Sequence, residues 1–113
     1  MDFTEEDRTD LRILMLAGRL DSESASQLST RLAGFALAEP LPVLIELSRL
    51  TYISSAGCRT LFVAARQAAQ RGGKLALCGM SGTVERVGDL AGLASQVDIY
   101  RTREEALTEM IAA

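Results

Sequence analysis

The sequence contains no histidine and no tryptophan, and it has only two prolines and two cysteines among its 113 residues. Without an imidazole there is no Ser-His-Asp or Cys-His pair, no histidine metal ligand and no unperturbed side chain that titrates near neutral pH. These absences argue against most hydrolase and metalloenzyme classes. We therefore predict neither a metal site nor a bound cofactor.

The two cysteines and the N-terminal segment indicate the compartment. Cys58 and Cys78 lack the CxxC spacing of redox and zinc motifs, and this favours two reduced, buried thiols over a disulfide. The first seven residues are acidic where a signal peptide would be basic, and no uncharged stretch approaches the roughly 20 residues that a membrane helix needs. We expect a cytoplasmic protein that does not enter a membrane.

The charge balance is mildly acidic, with 12 basic and 15 acidic residues and a net charge of -3. Such a chain has no electrostatic attraction to nucleic acid phosphates or anionic lipid surfaces, so we expect neither as a partner. Length and composition, with 48% hydrophobic and 24% charged residues, are typical of one globular domain. No linker, repeat or low-complexity tract divides the chain, and we predict a single domain over residues 1–113.

Hydrophobic periodicity alternates between strand and helix along the chain. It predicts strands at 11–17, 42–47, 74–78 and 97–100, a weaker antiparallel edge strand at 2–8, and a polar loop at 48–54. Thr102 and Glu105 have the spacing of a capping box at the start of the last helix. Four helices are predicted from their apolar stripes: Ala25, Leu28, Leu32 and Phe35; Cys58, Leu61, Phe62, Ala65 and Ala69; Val84, Val87, Leu90 and Ala91; and Leu107, Met110 and Ile111.

This alternation with short connections predicts an α/β fold around a mixed, mostly parallel sheet, with an antiparallel strand at the N-terminal edge and 42–47 as the central strand. Function in open sheets of this kind collects at the carboxyl ends of the strands. Those ends are residues 18–22, 48–57 and 79–83.

The middle segment places two adjacent hydroxyls, Ser54 and Ser55, before the small residues Ala56 and Gly57 at the start of a helix. Helix N-termini offer unpaired N–H donors and the positive end of the helix dipole, so they tolerate a phosphoryl group. Residue type and position by themselves favour Ser55 as a simple N-cap. The two interpretations are compatible.

Ordered landmarks along nearly the whole chain resemble one family. These landmarks are Gly18-Arg19-Leu20-Asp21 before a helix, the apolar strand 43–47, Tyr52-Ile53-Ser54-Ser55-Ala56-Gly57 opening the next helix, Gly72-Gly73-Lys74-Leu75 before a strand, and Asp89-Leu90-Ala91-Gly92-Leu93. Together they resemble the STAS domain of anti-sigma factor antagonists, and the resemblance implies a STAS-like single domain.

The resemblance implies a phosphorylation-controlled binding switch. In that family the unphosphorylated antagonist binds an anti-sigma factor that is also a serine kinase, phosphorylation of a loop serine breaks the complex, and a metal-dependent serine phosphatase resets it. The matching phosphoacceptor is Ser55, with Ser54 as the second candidate, and the acidic residue expected near it is Asp21. The usual Asp-Ser-Ser-Gly of the family reads Ser54-Ser55-Ala56-Gly57 here.

The docking surface should include the loop and the exposed side of its helix. We expect Tyr52 and Ile53 to pack the loop, Cys58 to belong to the core, and the free protein to be a monomer. Arg66 is a further candidate for partner contact. The predicted switch-loop and partner-binding residues are Asp21, Ser22, Ser24, Ser54, Ala56, Gly57 and Arg59.

Two other functions remain open at the level of sequence. Gly79 to Gly82 follows a strand and precedes a helix, so it could cradle a phosphate in a STAS-type sensory or scaffold module that binds a small ligand or nucleotide; it lacks the spacing of known phosphate loops. An enzyme using Ser54, Ser55 or Cys58 as nucleophile would need a base, and only Asp21 is brought close. We therefore expect a binding protein and not an enzyme.

Overall fold

The computed structural model describes residues 1–36 and 41–111, which form five strands, four α-helices and one 3-10 helix. The elements in chain order are β1 (Asp2–Asp7), β2 (Arg12–Leu20), α1 (Ser22–Ala36), β3 (Val43–Ile53), α2 (Ser55–Gln70), β4 (Leu75–Cys78), α3 (Gly82–Leu90), the 3-10 turn Leu93–Ser95, β5 (Asp98–Tyr100) and α4 (Arg103–Ile111).

The strands form one sheet in the order β1-β2-β3-β4-β5. β1 pairs with β2 in antiparallel orientation, and all other neighbours are parallel. The predicted mixed α/β sheet is therefore confirmed, with β3 as its central strand. Strand order follows chain order because each crossover connection between parallel strands contains a helix and returns to the neighbouring position in the sheet.

The two faces of the sheet have separate cores because successive strand residues point to opposite sides. On one face Leu14 and Ile45 pack with Leu28 of α1 and Leu61 of α2. On the other face the intervening strand residues pack beneath α4, in a smaller cluster of Leu11, Ile13, Leu44, Ala76, Cys78, Ala106 and Met110. The predicted site lies on the first, larger layer, at the carboxyl ends of β2 and β3.

The segment 48–54, predicted as a polar loop, is largely strand. β3 continues to Ile53 and pairs with β2 along its whole length, ending with Leu20 opposite Ile53. Leu50 and Ile53 are buried, Tyr52 is half-buried and the other residues from 48 to 52 are exposed. The register shifts twice because β3 has two more residues than the length of β2 with which it pairs. The prediction was wrong because these irregularities break the strict alternation by which a half-buried strand is recognised.

Several residues assigned to apolar helix stripes lie outside the core. Leu90 is 84% exposed because α3 buries the face that carries Val84 and Gly88. Ile111 is exposed at the end of α4, and Ala69 and Ala91 are exposed as well. These four assignments were wrong because each residue lies in the last turn of its helix or directly after it, where its side chain is left exposed. The cap predicted for α4 is present, since the Glu105 N–H donates to Thr102 Oγ1 at 3.1 Å.

Within residues 1–36 and 41–111, the helices are too short or too polar to cross a lipid bilayer.

Candidate functional site

Two hydrogen bonds and a strand pairing join the carboxyl ends of β2 and β3. Leu20 lies opposite Ile53, the Ser54 N–H donates to the Leu20 carbonyl at 2.9 Å, and Thr51 Oγ1 donates to the Gly18 carbonyl at 3.0 Å. Asp21 and the two serines that follow Ile53 therefore leave the same edge of the sheet side by side. This is the juxtaposition that the sequence predicted.

Asp21 is the N-cap of α1 and exchanges hydrogen bonds with Ser24. The Ser24 N–H donates to Asp21 Oδ1 at 3.1 Å, and the Asp21 N–H donates to Ser24 Oγ at 2.9 Å. This is the reciprocal pattern of a capping box with serine in the second position. The Ser24 hydroxyl also donates to the Arg19 carbonyl at 2.7 Å, which fastens the helix start to the end of β2.

Ser24 was predicted among the residues that a partner would contact, and the structure does not place it on the surface. Ser24 is only 5% exposed because its hydroxyl points inward, where it accepts the Asp21 N–H of the cap. Ser24 thus holds Asp21 in place and is not available to a partner. Ser22, one residue after the cap, is exposed as expected.

The cap of α2 is Ser54 and not Ser55. The Ser54 hydroxyl accepts the Gly57 N–H at 3.1 Å, and the Ser54 carbonyl accepts the Cys58 N–H at 3.0 Å. Ser54 has the extended backbone of an N-cap, whereas Ser55 is the first helical residue. The interpretation of Ser55 as the cap was therefore wrong, and its exposed hydroxyl is not used to cap the helix.

Gly57 allows the start of α2 to approach the end of β2 closely. A Cβ atom at this position would lie 2.8 Å from Leu20 Cγ, 3.0 Å from the Leu20 carbonyl oxygen and 3.1 Å from Ile53 Cγ1. Gly57 itself is buried, so it shapes the loop without offering a surface to a partner. Any larger residue would push Ser54 and Ser55, which we call the serine loop, away from Asp21.

Arg19 is part of this surface, although sequence reasoning did not select it. Its guanidinium lies 4.1 Å from the centre of the Tyr52 ring on the neighbouring strand. A cation–π contact of this kind stabilises the position of the Arg19 side chain by a modest amount. The signal available in the sequence was positional, since Arg19 and Tyr52 each lie at the second-last position of a strand that ends at this edge.

The charges of the site favour an ionised Asp21. Hydrogen bonds from the backbone and side chain of Ser24 lower the pKa of Asp21, and the nearby Arg19 contributes in the same direction. A carboxylate whose pKa is lowered is a poor general base at neutral pH. This arrangement gives no support to Ser54 or Ser55 as a catalytic nucleophile.

Both cysteines are free and buried, as predicted. Burial raises the pKa of the Cys58 thiol, and it raises the pKa of Cys78 to about 11 with a further contribution from Glu46. Cys58 packs in the larger core with Leu61 and Ala65. A buried thiol with a raised pKa is a core residue and an unreactive one.

The remaining predicted segment, residues 79–83, joins β4 to the start of α3, and its first glycine has a packing explanation. Gly79 has a φ of 80°, and a Cβ there would lie 3.1 Å from the Ser48 backbone nitrogen. The loop is thus pressed against β3, which accounts for Gly79 without a bound phosphate. In the described parts of the chain, acidic residues and cysteines form no group of three that could hold a metal ion.

The other predicted contact residues have varied exposure. Ser55 and Arg59 are exposed one turn apart on α2, Ala56 is half-buried, and Arg66 is exposed two turns further along the helix. Tyr52 is half-buried and Ile53 is 1% exposed, so Ile53 packs beneath the loop as predicted.

Comparisons with known proteins agree on the family. The STAS domain model matches residues 2–106. A protein of Bordetella bronchiseptica described as an anti-sigma factor antagonist, BtrV, is 34% identical over 106 residues, which cover 94% of this chain and 91% of that protein. An anti-sigma-B factor antagonist of Listeria monocytogenes is 26% identical over 101 residues and 89% of each chain.

Solved structures show the same fold. A crystal structure from Thermotoga maritima, described as an anti-sigma factor antagonist, superimposes with a TM-score of 0.87 at 26% identity and covers 96% of this chain and 94% of that one. Phosphorylated SpoIIAA of Bacillus superimposes with a TM-score of 0.72 at 22% identity, over 96% and 98% of the two chains.

Anti-sigma factor antagonists are non-enzymatic regulators, which agrees with the prediction of a binding protein. The matched family model, the relatives and the strand order lead to the same assignment. This chain is a STAS domain protein of the anti-sigma factor antagonist family.

Proposed function

We propose that this protein is an anti-sigma factor antagonist whose binding is switched off by phosphorylation of Ser55. In its unphosphorylated form it binds an anti-sigma factor with serine kinase activity, and a metal-dependent serine phosphatase reverses the modification. The relatives described as antagonists of anti-sigma factors support the first part of this proposal. We further propose that it acts in the cytoplasm, as a monomer when free and as one domain over residues 1–113.

One observation carries the choice of Ser55. Ser54 caps α2, so the hydroxyl of Ser55 is exposed and is not needed to cap the helix, at the edge shared with Asp21. Modification of Ser54 would instead place the phosphate on the oxygen that accepts the Gly57 N–H and so alter the cap of α2. Ser55 is therefore the serine whose phosphorylation leaves this cap unchanged.

The departures from the usual Asp-Ser-Ser-Gly loop are compatible with this role. Serine and aspartate are both strong N-cap residues, and Ser54 makes the cap bond. Ala56 is half-buried, where a small side chain is accommodated beside the loop. The close approach that requires glycine is retained at Gly57.

The switch itself follows from charge. The kinase transfers the γ-phosphoryl group of ATP to Ser55 Oγ: an O–P bond forms there, the bond from that phosphorus to the ADP oxygen breaks, and the hydroxyl proton is released. The phosphate adds roughly 1.5 to 2 negative charges beside the Asp21 carboxylate. If its burial in the complex costs about 3 to 4 kcal/mol, binding weakens by about two to three orders of magnitude.

The test is phosphorylation of the purified protein with ATP and the anti-sigma factor kinases of its own cell, followed by mass spectrometry and binding measurements. We expect phosphate on Ser55, none on Ser55→Ala, and loss of partner binding on modification. Ser54→Asp is the matched control because it keeps a capping side chain while removing the neighbouring hydroxyl. Phosphate that persists on Ser55→Ala, or phosphorylated protein that binds as tightly as before, would contradict the proposal.

A further inference from the structure

Arg59 lies one helical turn from Ser55 on the exposed face of α2. Residues four apart on a helix are surface neighbours, with about 5 to 6 Å between their Cβ atoms. Long side chains on a helix point back over the preceding turn, so the reach of Arg59 covers the position of Ser55. A phosphate on Ser55 Oγ would extend from the helix into that reach.

Arg59 carries a charge that no carboxylate neutralises in the described residues. The ion pairs of arginines there involve Arg8, Arg31 and Arg103. Arg59 instead lines an open groove of about 220 Å³ between α1 and α2, where it lies with Leu32, Val63 and Gln67. The guanidinium is therefore free to change partners without breaking an ion pair of the folded protein.

We infer that Arg59 binds the phosphate on Ser55 within the same chain, and that phosphorylation thereby withdraws a cation from the α1–α2 groove. This inference rests on the proposed function, because it takes Ser55 as the phosphorylated residue. Arginine suits the role because its planar guanidinium can donate two hydrogen bonds to one phosphate. The modification thus changes two places at once: it adds negative charge at the serine loop and removes positive charge from the groove.

The inference can be tested without the kinase. The protein is prepared with phosphoserine installed at position 55 during synthesis, and the phosphate is titrated by 31P NMR. An ion pair with Arg59 stabilises the dianion, so Arg59→Gln should raise the second phosphate pKa by about 0.3 unit or more, a factor of two in proton affinity. Asp21 and Arg19, the other charges at this edge, are unchanged between the two proteins.

Arg66→Gln is the matched control, because it removes the same charge from an exposed position of α2 that is too distant to reach Ser55. It should leave the phosphate pKa within 0.1 unit of the wild type, as a rough bound for a screened surface charge. Changes in the groove are measured through the NMR chemical shifts of the methyl groups of Val63, which is 44% exposed. They should shift on phosphorylation in the wild type and not in Arg59→Gln.

Equal phosphate pKa values in the wild type and Arg59→Gln, or an equal effect of Arg66→Gln, would overturn the inference. So would Val63 signals that do not respond to phosphorylation in the wild type. These results are separate from a failure of the proposed function, which would be a kinase panel that leaves Ser55 unmodified. The installed phosphate reports on Arg59 in either case.

Discussion

Substitution of Gly57 by alanine tests whether the closeness of β2 and α2 holds the site together. In an exposed helix this change would stabilise the protein by up to about 1 kcal/mol, since alanine is the better helix former. Here the new methyl group would lie 2.8 Å from Leu20 Cγ and 3.0 Å from the Leu20 carbonyl oxygen. Inserting a methyl group into a well-packed position costs about 1 to 3 kcal/mol.

The clash involves backbone as well as side chain, so it cannot be relieved by a rotamer change alone. The Leu20 carbonyl accepts the Ser54 N–H at 2.9 Å, and separating the two elements weakens that bond by about 1 kcal/mol. We expect a net loss of about 1 to 3 kcal/mol in the free energy of unfolding. For a domain of this size each kcal/mol lowers the Tm by about 4 °C, so the Tm should fall by about 4 to 12 °C.

The assay is urea and thermal unfolding followed by circular dichroism, with Gly34→Ala as the matched control. Gly34 is exposed in α1, and a Cβ there would meet no described atom within 4 Å. Gly34→Ala should raise the free energy of unfolding by about 0.5 to 1 kcal/mol. If Gly57→Ala were as stable as the wild type, or stabilised the protein as Gly34→Ala does, the reasoning about close approach would be refuted.

Two further predictions concern the cap of α1 and the buried thiol. Ser24→Ala removes the acceptor of the Asp21 N–H and should lower the free energy of unfolding by about 1 to 2 kcal/mol in urea titrations. Because Ser24 lowers the pKa of Asp21, the stability that this carboxylate adds is present above its ordinary pKa and is lost as the pH falls; NMR titration should find the pKa of Asp21 higher in Ser24→Ala, and an unchanged value would count against the cap. The pKa of Cys78 is raised to about 11 from 9.0, so the unfolded thiol ionises first and stability should fall between pH 9 and 11, by at most about 3 kcal/mol. In Cys78→Ala this alkaline loss should be smaller, and an identical pH profile in the variant would contradict it.

The order and type of the elements could be predicted because each carries its own periodic signal. Strand 43–47 is almost continuously apolar, and it is covered on both faces in the centre of the sheet. α2 shows its buried stripe through Cys58, Leu61 and Ala65. Such patterns are local, so they can be recognised before any contact between distant residues is known.

The parts that could not be predicted depend on what covers a residue. Leu90 completes an apolar stripe in sequence but lies 84% exposed, because nothing among the described residues packs over that end of α3. Ser24 is a small polar residue of the kind expected on a surface, but it is buried because its hydroxyl donates to the Arg19 carbonyl. Burial is a property of the neighbours, and a single segment does not contain them.

The serine loop shows which features depend on the sequence alone and which depend on the tertiary structure. The sequence by itself determined that two hydroxyls lie at the start of a helix and that Asp21 follows a neighbouring strand, because these features depend only on residue type and spacing. Only the tertiary structure decided that Ser54 caps the helix while Ser55 does not, and that Gly57 must lack a side chain. The physical reason is that caps and close approaches depend on tenths of an ångström between elements, and these distances exist only after β2 and β3 have paired.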